Sequence, residues 1–193
     1  MSKLLFYDVE TTGLNPELHA IHQISGIIVI NNEKKLEFDI KCAPHPTALI
    51  ELEALKVSNV TEEQIKGYQA NIFAHKELLS KLSRFCNKYD KLDKFHLIGY
   101  NNRGFDDSFF RQFFNHSGDK YYGSWFWNDT NDVMGLASAY LQEVRGQLDN
   151  FQLRTVAKFL GIEVDETKLH DASYDIWLTW QIYEIVKHPN PRK

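Results

Sequence analysis
The stretch LLFYDVETTGL, Leu4–Leu14, begins as an apolar run and ends in two acids, Asp8 and Glu10, followed by a polar turn with a glycine. Residues 3–9 read as a buried strand. Side chains at i and i+2 of a strand point to one side, so the two carboxylates converge where the strand runs out. Converging carboxylates repel, and burying either without a partner costs on the order of several kcal/mol. In open α/β sheets ligands bind beyond the strand ends, which makes a hard divalent cation the natural occupant. The plainer alternative for an isolated D-x-E is a surface turn in which Asp8 caps the following loop.

Outward from this stretch, IHQISGIIVI (21–30), the turn NNE and LEFDIKC (36–42) extend the first strand into a three-stranded meander. Between Ala70 and Tyr89, Leu78, Leu82, Phe85 and Cys86 recur at helical spacing, and an amphipathic helix is expected. FHLIGYNN (95–102) reads as another short buried strand, and GFDDSFFRQFF after it repeats phenylalanines at helical spacing. WFWND (125–129) is the expected last strand, with helices at roughly 132–143, 151–160 and 171–187. A meander followed by alternating strands and helices implies an α/β domain with a mixed five-stranded sheet flanked by helices.

A chain of 193 residues suits one compact domain, so a single domain over 1–187 and a short flexible tail at 188–193 (HPNPRK) are expected, with no appended module. Apolar content of 43% and charged content of 25% are those of a soluble protein. The opening MSKLLFYDVE lacks the apolar stretch and cleavage site of a signal peptide, so a cytoplasmic location is expected and membrane association is not. Cys42 and Cys86 lie far apart without metal or redox spacing and read as reduced, buried thiols. A net charge of -4 speaks against a large electrostatic footprint on duplex nucleic acid but leaves room for a local basic groove.

Three further features bear on Asp8 and Glu10. Asp106, in GYNNRGFDDSFF, follows a buried strand and opens a helix, where an acid also serves simply as partner to the helix dipole. In HDASYDIWLTW, His170 and Asp175 flank a helix start that Asp171 can cap; a lone histidine there is by itself an ordinary loop residue. The third feature is order, with acids arriving at the end of the first strand, after a later strand, and on a final helix.

Taken together these residues resemble the DEDDh exonucleases, an RNase H-like superfamily that includes polymerase proofreading exonucleases, oligoribonuclease, RNase T and exonuclease I. YDVETTGLNP is similar to the first family motif, GYNNRGFDDSFF to the second in the form found in bacterial exonuclease I, and HDASYD to the third. The resemblance assigns the second position to Asp106 rather than Asp107. It also assigns the histidine class, because Asp171, not tyrosine, stands four residues before Asp175. ALKVSNVTEEQI resembles the segment that usually reads GIT and an acid; Asn59 replaces the glycine, so a different loop is expected there. SWFWNDTNDVMGLASAY and KHPNPRK also resemble the exonuclease I nuclease domain, and the chain stops where that enzyme continues into further domains, so its processive grip is not expected here.

The resemblance implies a metal-dependent 3′-to-5′ exonuclease that releases nucleoside monophosphates from single-stranded DNA with two Mg²⁺ or Mn²⁺ ions. Asp8, Glu10, Asp106 and Asp175 are the implied metal ligands and His170 the implied general base, a histidine of ordinary pKa about 6.5 being suited to that task. Amides of Thr11 and Thr12 would receive the terminal 3′-hydroxyl, Leu14 would pack on the last base, and Asn102 and Phe105 would touch the terminal nucleotide. From the residues alone, Leu14 and Phe105 read equally as core. Tyr121, Tyr122, Trp125, Phe126 and Trp127 offer stacking surfaces but read mainly as core. RNA or short oligonucleotides remain the close alternative, because nothing reads a 2′-hydroxyl. A trimming or proofreading subunit of a larger complex and a noncatalytic binding module are the more distant ones.

Overall fold
The computed structural model describes residues 2–169 and 171–188. Three strands, β1 (Lys3–Thr11), β2 (Ile21–Ile30) and β3 (Glu33–Lys41), form the antiparallel meander; β4 (His96–Gly99) and the two-residue β5 (Asn131–Asp132) add in parallel. The sheet order is β3-β2-β1-β4-β5, so the strand of LLFYDVETTGL is central. Asn31 and Asn32 link β2 to β3 with φ of 51° and 66°, left-handed conformations that asparagine tolerates better than most residues.

The period-two alternation of β1 sorts its side chains between two cores. Leu5, Tyr7 and Val9 join one core with Phe109, Phe110, Phe113 and Phe114; Leu4 and Phe6 join the other with Val156, Ile176 and Ile182. The first face is covered by α3 (Asn71–Leu82) and α4 (Asp106–His116), after the short helices α1 (Leu52–Val57) and α2 (Glu62–Lys66). Following α5 (Tyr122–Trp125), the second face is covered by α6 (Val133–Tyr140), α7 (Leu153–Phe159) and α8 (Ala172–Val186). No helix among the described residues is long and apolar enough to cross a membrane.

The last strand departs from expectation. Trp125 ends α5, Phe126 makes an isolated parallel bridge to Phe95, and strand pairing resumes only at Asn131–Asp132. The cause is aromatic packing: the adjacent Trp125 and Phe126 are both buried in the same core, Phe126 against Phe110 and Phe114, which a regularly alternating strand cannot do. The helix expected to reach Tyr89 ends at Leu82, where the Leu82 carbonyl accepts from the amides of Phe85 and Cys86 in a closing turn. Helices α1 and α2 escaped the periodicity argument, although α2 carries a capping box between Thr61 and Gln64. Of the expected tail, residues 189–193 lie outside the described residues.

Both cysteines are free and buried. Burial pushes the Cys42 thiol up to about 12 and the Cys86 thiol up to about 11, so neither is a thiolate near neutral pH.

His22 is fully buried in β2, neither ring nitrogen has a hydrogen-bond partner, and burial lowers its pKa from 6.5 to about 4. Because the unfolded chain binds the proton first, the stability held by neutral His22 is complete above pH 6.5 and is lost as pH falls through that window to about 4. At pH 5 the loss relative to pH 8 should be roughly 2 kcal/mol. Urea midpoints of the wild type and His22→Leu at the two pH values check this; an equal acid slope in both proteins would show that His22 is not responsible.

Candidate active site
Asp8 and Glu10 continue the parity of Leu4 and Phe6 and therefore face α8. Phe6 anchors that helix, with its ring 6.2 Å from Trp180 and 5.2 Å edge-on from Tyr183. From Phe6 to Asp8 the strand advances about 6.7 Å, and from Trp180 back to Asp175 the helix retreats about 7.5 Å. The two steps are nearly equal, so the packing that buries Phe6 sets Asp175 beside Asp8. As expected, Asp171 caps α8, its side chain accepting from the Tyr174 amide at 3.1 Å.

Asp106 arrives from the β4 side. Pairing of β1 with β4 stops at Phe6 and Ile98, and beyond it the Val9 amide donates to Asp106 Oδ1 at 3.4 Å. The neighbouring acid turns elsewhere, for Asp107 accepts from the Tyr7 hydroxyl under the other face of the strand. Asp106, not Asp107, is thus the second-motif acid directed at the end of β1.

These placements crowd negative charge. Asp8 retains some exposure, yet burial raises its pKa well above the usual carboxylate range, and Asp106, Glu10 and Asp175 raise it further. Asp106, 7% exposed, is also raised, mainly by burial, with hydrogen bonds from backbone amides opposing the shift. Among the described residues no group of three or more His, Cys, Asp or Glu is drawn together closely enough to hold a metal ion. What fits a cation is the donor chemistry: Asp8 with Glu10, Asp106 and Asp175 within Coulombic reach of it, hard oxygen donors of the kind suited to Mg²⁺ or Mn²⁺. His170 lies outside the described residues.

The TTGL turn is held from beneath by His19, which sequence reasoning missed. A Cβ on Gly13 would sit 2.3 Å from the His19 ring, so the turn's glycine is required by close approach. The ring is 4% exposed, with Nδ1 3.1 Å from the Asn15 amide and Nε2 3.1 Å from Glu51. Thr12 is corrected from the expectation: its amide donates to the Ala20 carbonyl at 2.9 Å and its hydroxyl to Leu49 at 2.7 Å, so it shapes the turn and has no amide to offer. Thr11 is buried with its hydroxyl bonded to the Gly13 carbonyl, and Leu14 is 77% exposed rather than core.

Asn102 also needs correcting. It is 1% exposed, donates to Thr130 at 2.8 Å and fills the space left by Gly99, where a Cβ would meet it at 2.6 Å. Such a residue braces the β4 loop and does not reach solvent. Phe105, half-buried, packs 4.8 Å from Phe109. Of the aromatic cluster, Tyr122, Trp125 and Phe126 are core, while Trp127 stacks on His96 at the start of β4, the end of the strand away from the site.

A second unforeseen residue is Ser58, whose hydroxyl donates to Glu10 Oε2 at 2.5 Å. It closes α1, and Asn59 follows with φ of 53°. The loop expected to differ for want of glycine adopts the left-handed conformation that glycine favours, and asparagine is the usual substitute there.

A family model described as Exonuclease, RNase T, matches residues 5–183, and the chain belongs to this family. Among curated proteins, Exodeoxyribonuclease I of Buchnera aphidicola subsp. Baizongia pistaciae is 28% identical over 97% of this chain and 40% of its own length. Exodeoxyribonuclease I of Escherichia coli K12 is 28% identical over 99% of the chain and 41% of its own. The chain spans about two fifths of the length of these relatives. The structure of E. coli exonuclease I in complex with a dT13 oligonucleotide superposes with a TM-score of 0.76 at 23% identity, covering 100% of this chain and 42% of that one. The zinc ion bound form of the same enzyme with single-stranded DNA gives 0.78, again at 23% identity, 100% and 42%. At that identity the likeness speaks for the fold alone.

Removing one of the crowded charges should stabilise the protein where no cation offsets them. Asp8→Asn is expected to melt higher than wild type in EDTA at pH 7.5, by about 2–4 °C for each kcal/mol of repulsion relieved. A lower melting temperature in calorimetry would contradict the electrostatic account.

Proposed function
We propose that the chain, as one exonuclease domain over residues 1–187, hydrolyses single-stranded DNA from the 3′ end to nucleoside monophosphates. The observation that carries this reading is the convergence of Asp8, Glu10, Asp106 and Asp175 at the C-terminal end of the central strand, at a net electrostatic cost that a divalent cation offsets. The choice of DNA rests on the relatives named Exodeoxyribonuclease I. Asp8, Glu10, Asp106 and Asp175 would hold two Mg²⁺ or Mn²⁺ ions, which when bound supply Lewis acidity and a water of lowered pKa.

The chain's own residues do the rest. His170, next to the capping residue of α8, accepts the proton of the attacking water as general base. Ser58 fixes the rotamer of Glu10 so that its carboxylate is presented without reorganisation. Leu14, on a turn made rigid by His19 and Thr12, packs against the terminal base, with the Thr11 amide toward the 3′-hydroxyl and Phe105 beside the sugar.

Purified protein should release mononucleotides from 5′-labelled oligodeoxynucleotides with Mg²⁺ or Mn²⁺ and none with EDTA; absence of product with either metal defeats the enzyme reading, and product from RNA alone moves it to exoribonuclease. Asp8→Ala should abolish cleavage, and His170→Ala should slow it about 100-fold or more. Turnover near wild type in His170→Ala would remove it as the base. Ser58→Ala should lower kcat/KM about tenfold, the scale of a hydrogen bond to a charged group, with recovery in Ser58→Thr. An equal loss in both variants would mean that the hydroxyl is not the cause.

A further inference from the structure
A polar cavity of about 530 Å³ opens between the meander, the turn after α1, and residues 167–169 and 171, with Ser58 of its wall bonded to Glu10. Gln23, Lys41, Ser58, Gln64, Tyr68 and Lys168 contribute to its wall. Its place is set by sheet register. Glu10 pairs with Gln23 and Gln23 with Lys41, so the three stand in one row across β1, β2 and β3. Directly opposed residues in antiparallel strands point to the same side. At about 4.8 Å per strand, the Lys41 backbone lies about 10 Å from that of Glu10, a gap that its long side chain can largely close.

The charges along this row are unequal. Asp39, two residues before Lys41 on the same side, accepts from Ser25 at 2.7 Å and Gln23 at 2.8 Å. Lys168 is paired with Asp165 at 3.3 Å, and Asp171 is spent on capping α8. Lys41 has no ion-pair partner among the described residues; its ammonium rests 5.8 Å over the Tyr68 ring. An exposed cation without a carboxylate partner, two strands along the same row from acids proposed to take a phosphodiester, is placed for an adjoining phosphate.

We propose that this cavity is a backbone subsite: Lys41 receives the first phosphodiester on the 5′ side of the scissile bond, Gln23 and Gln64 offer amide donors, and Tyr68 supports the lysine. The inference rests on the proposed exonuclease reading and adds a direction to it, with the strand leaving the acid cage toward β3. In an acidic protein this gives the incoming strand a local attraction that net charge does not.

The test compares two substrates that differ by that phosphate. d(TpT) has only the scissile phosphodiester, and d(TpTpT) adds one on the 5′ side. The preference for the longer substrate, as a ratio of kcat/KM values, should fall about tenfold in Lys41→Gln and be kept in Lys81→Gln, which alters a lysine on the helix layer across the sheet. Anisotropy of a labelled oligothymidylate in EDTA should show weaker binding by Lys41→Gln, with the salt slope shallower by about 0.7. An active wild type with an unchanged ratio and slope in Lys41→Gln overturns the subsite. A wild type that neither binds nor cleaves these substrates defeats the exonuclease reading itself.

Discussion
Like-charge repulsion at the end of β1 is the constraint around which the other contacts are arranged. Asp8, Glu10, Asp106 and Asp175 come from three separate elements into a partly desolvated corner, and the other three raise the cost of ionising Asp8. Nothing local favours that gathering. It is imposed by apolar packing at a distance: Phe6 against Trp180 and Tyr183 brings α8 down on one face, and Tyr7 against Phe110, 5.0 Å apart, brings α4 down on the other. Two aromatic anchors on adjacent residues of one strand thus clamp the acids from both sides.

Around the cage, short polar devices convert rough proximity into defined orientation. The Val9 amide selects Asp106, the Tyr7 hydroxyl takes Asp107 out of the site, and Ser58 holds Glu10. Two turns supply the backbone forms these contacts need. Gly13 leaves room for the buried His19 ring, while Asn59 adopts a left-handed conformation with a side chain in place. Such restraint suits a reaction that gains from groups oriented in advance.

Much of the architecture was legible because the signals were periodic. The alternation in β1, the ten-residue β2 and the phenylalanine stripe of α4 each declare an element and the face that it buries. The last strand was misread because WFWND is rich in strand-forming aromatics; in the fold their size sends Trp125 and Phe126 into the core beside Phe110. Asn102 was read as a substrate contact because it lies in a motif, but its amide is used to brace Thr130. Ser58 and His19 were invisible, since a serine and a histidine outside any motif acquire meaning only from the neighbours that folding brings.

By itself the sequence determined the central strand, the two acids at its end and the α/β class, and it singled out the distant acids as candidates, because each rests on local spacing or on a motif that stays intact in one dimension. Only the tertiary structure decided which contacts hold Asp106 and Asp107 apart, that Thr12 has no amide to spare, and that Glu10, Gln23 and Lys41 form one row. Those outcomes depend on strand register and helix placement, which bring together residues far apart in the chain, and no local pattern encodes a partner that distant.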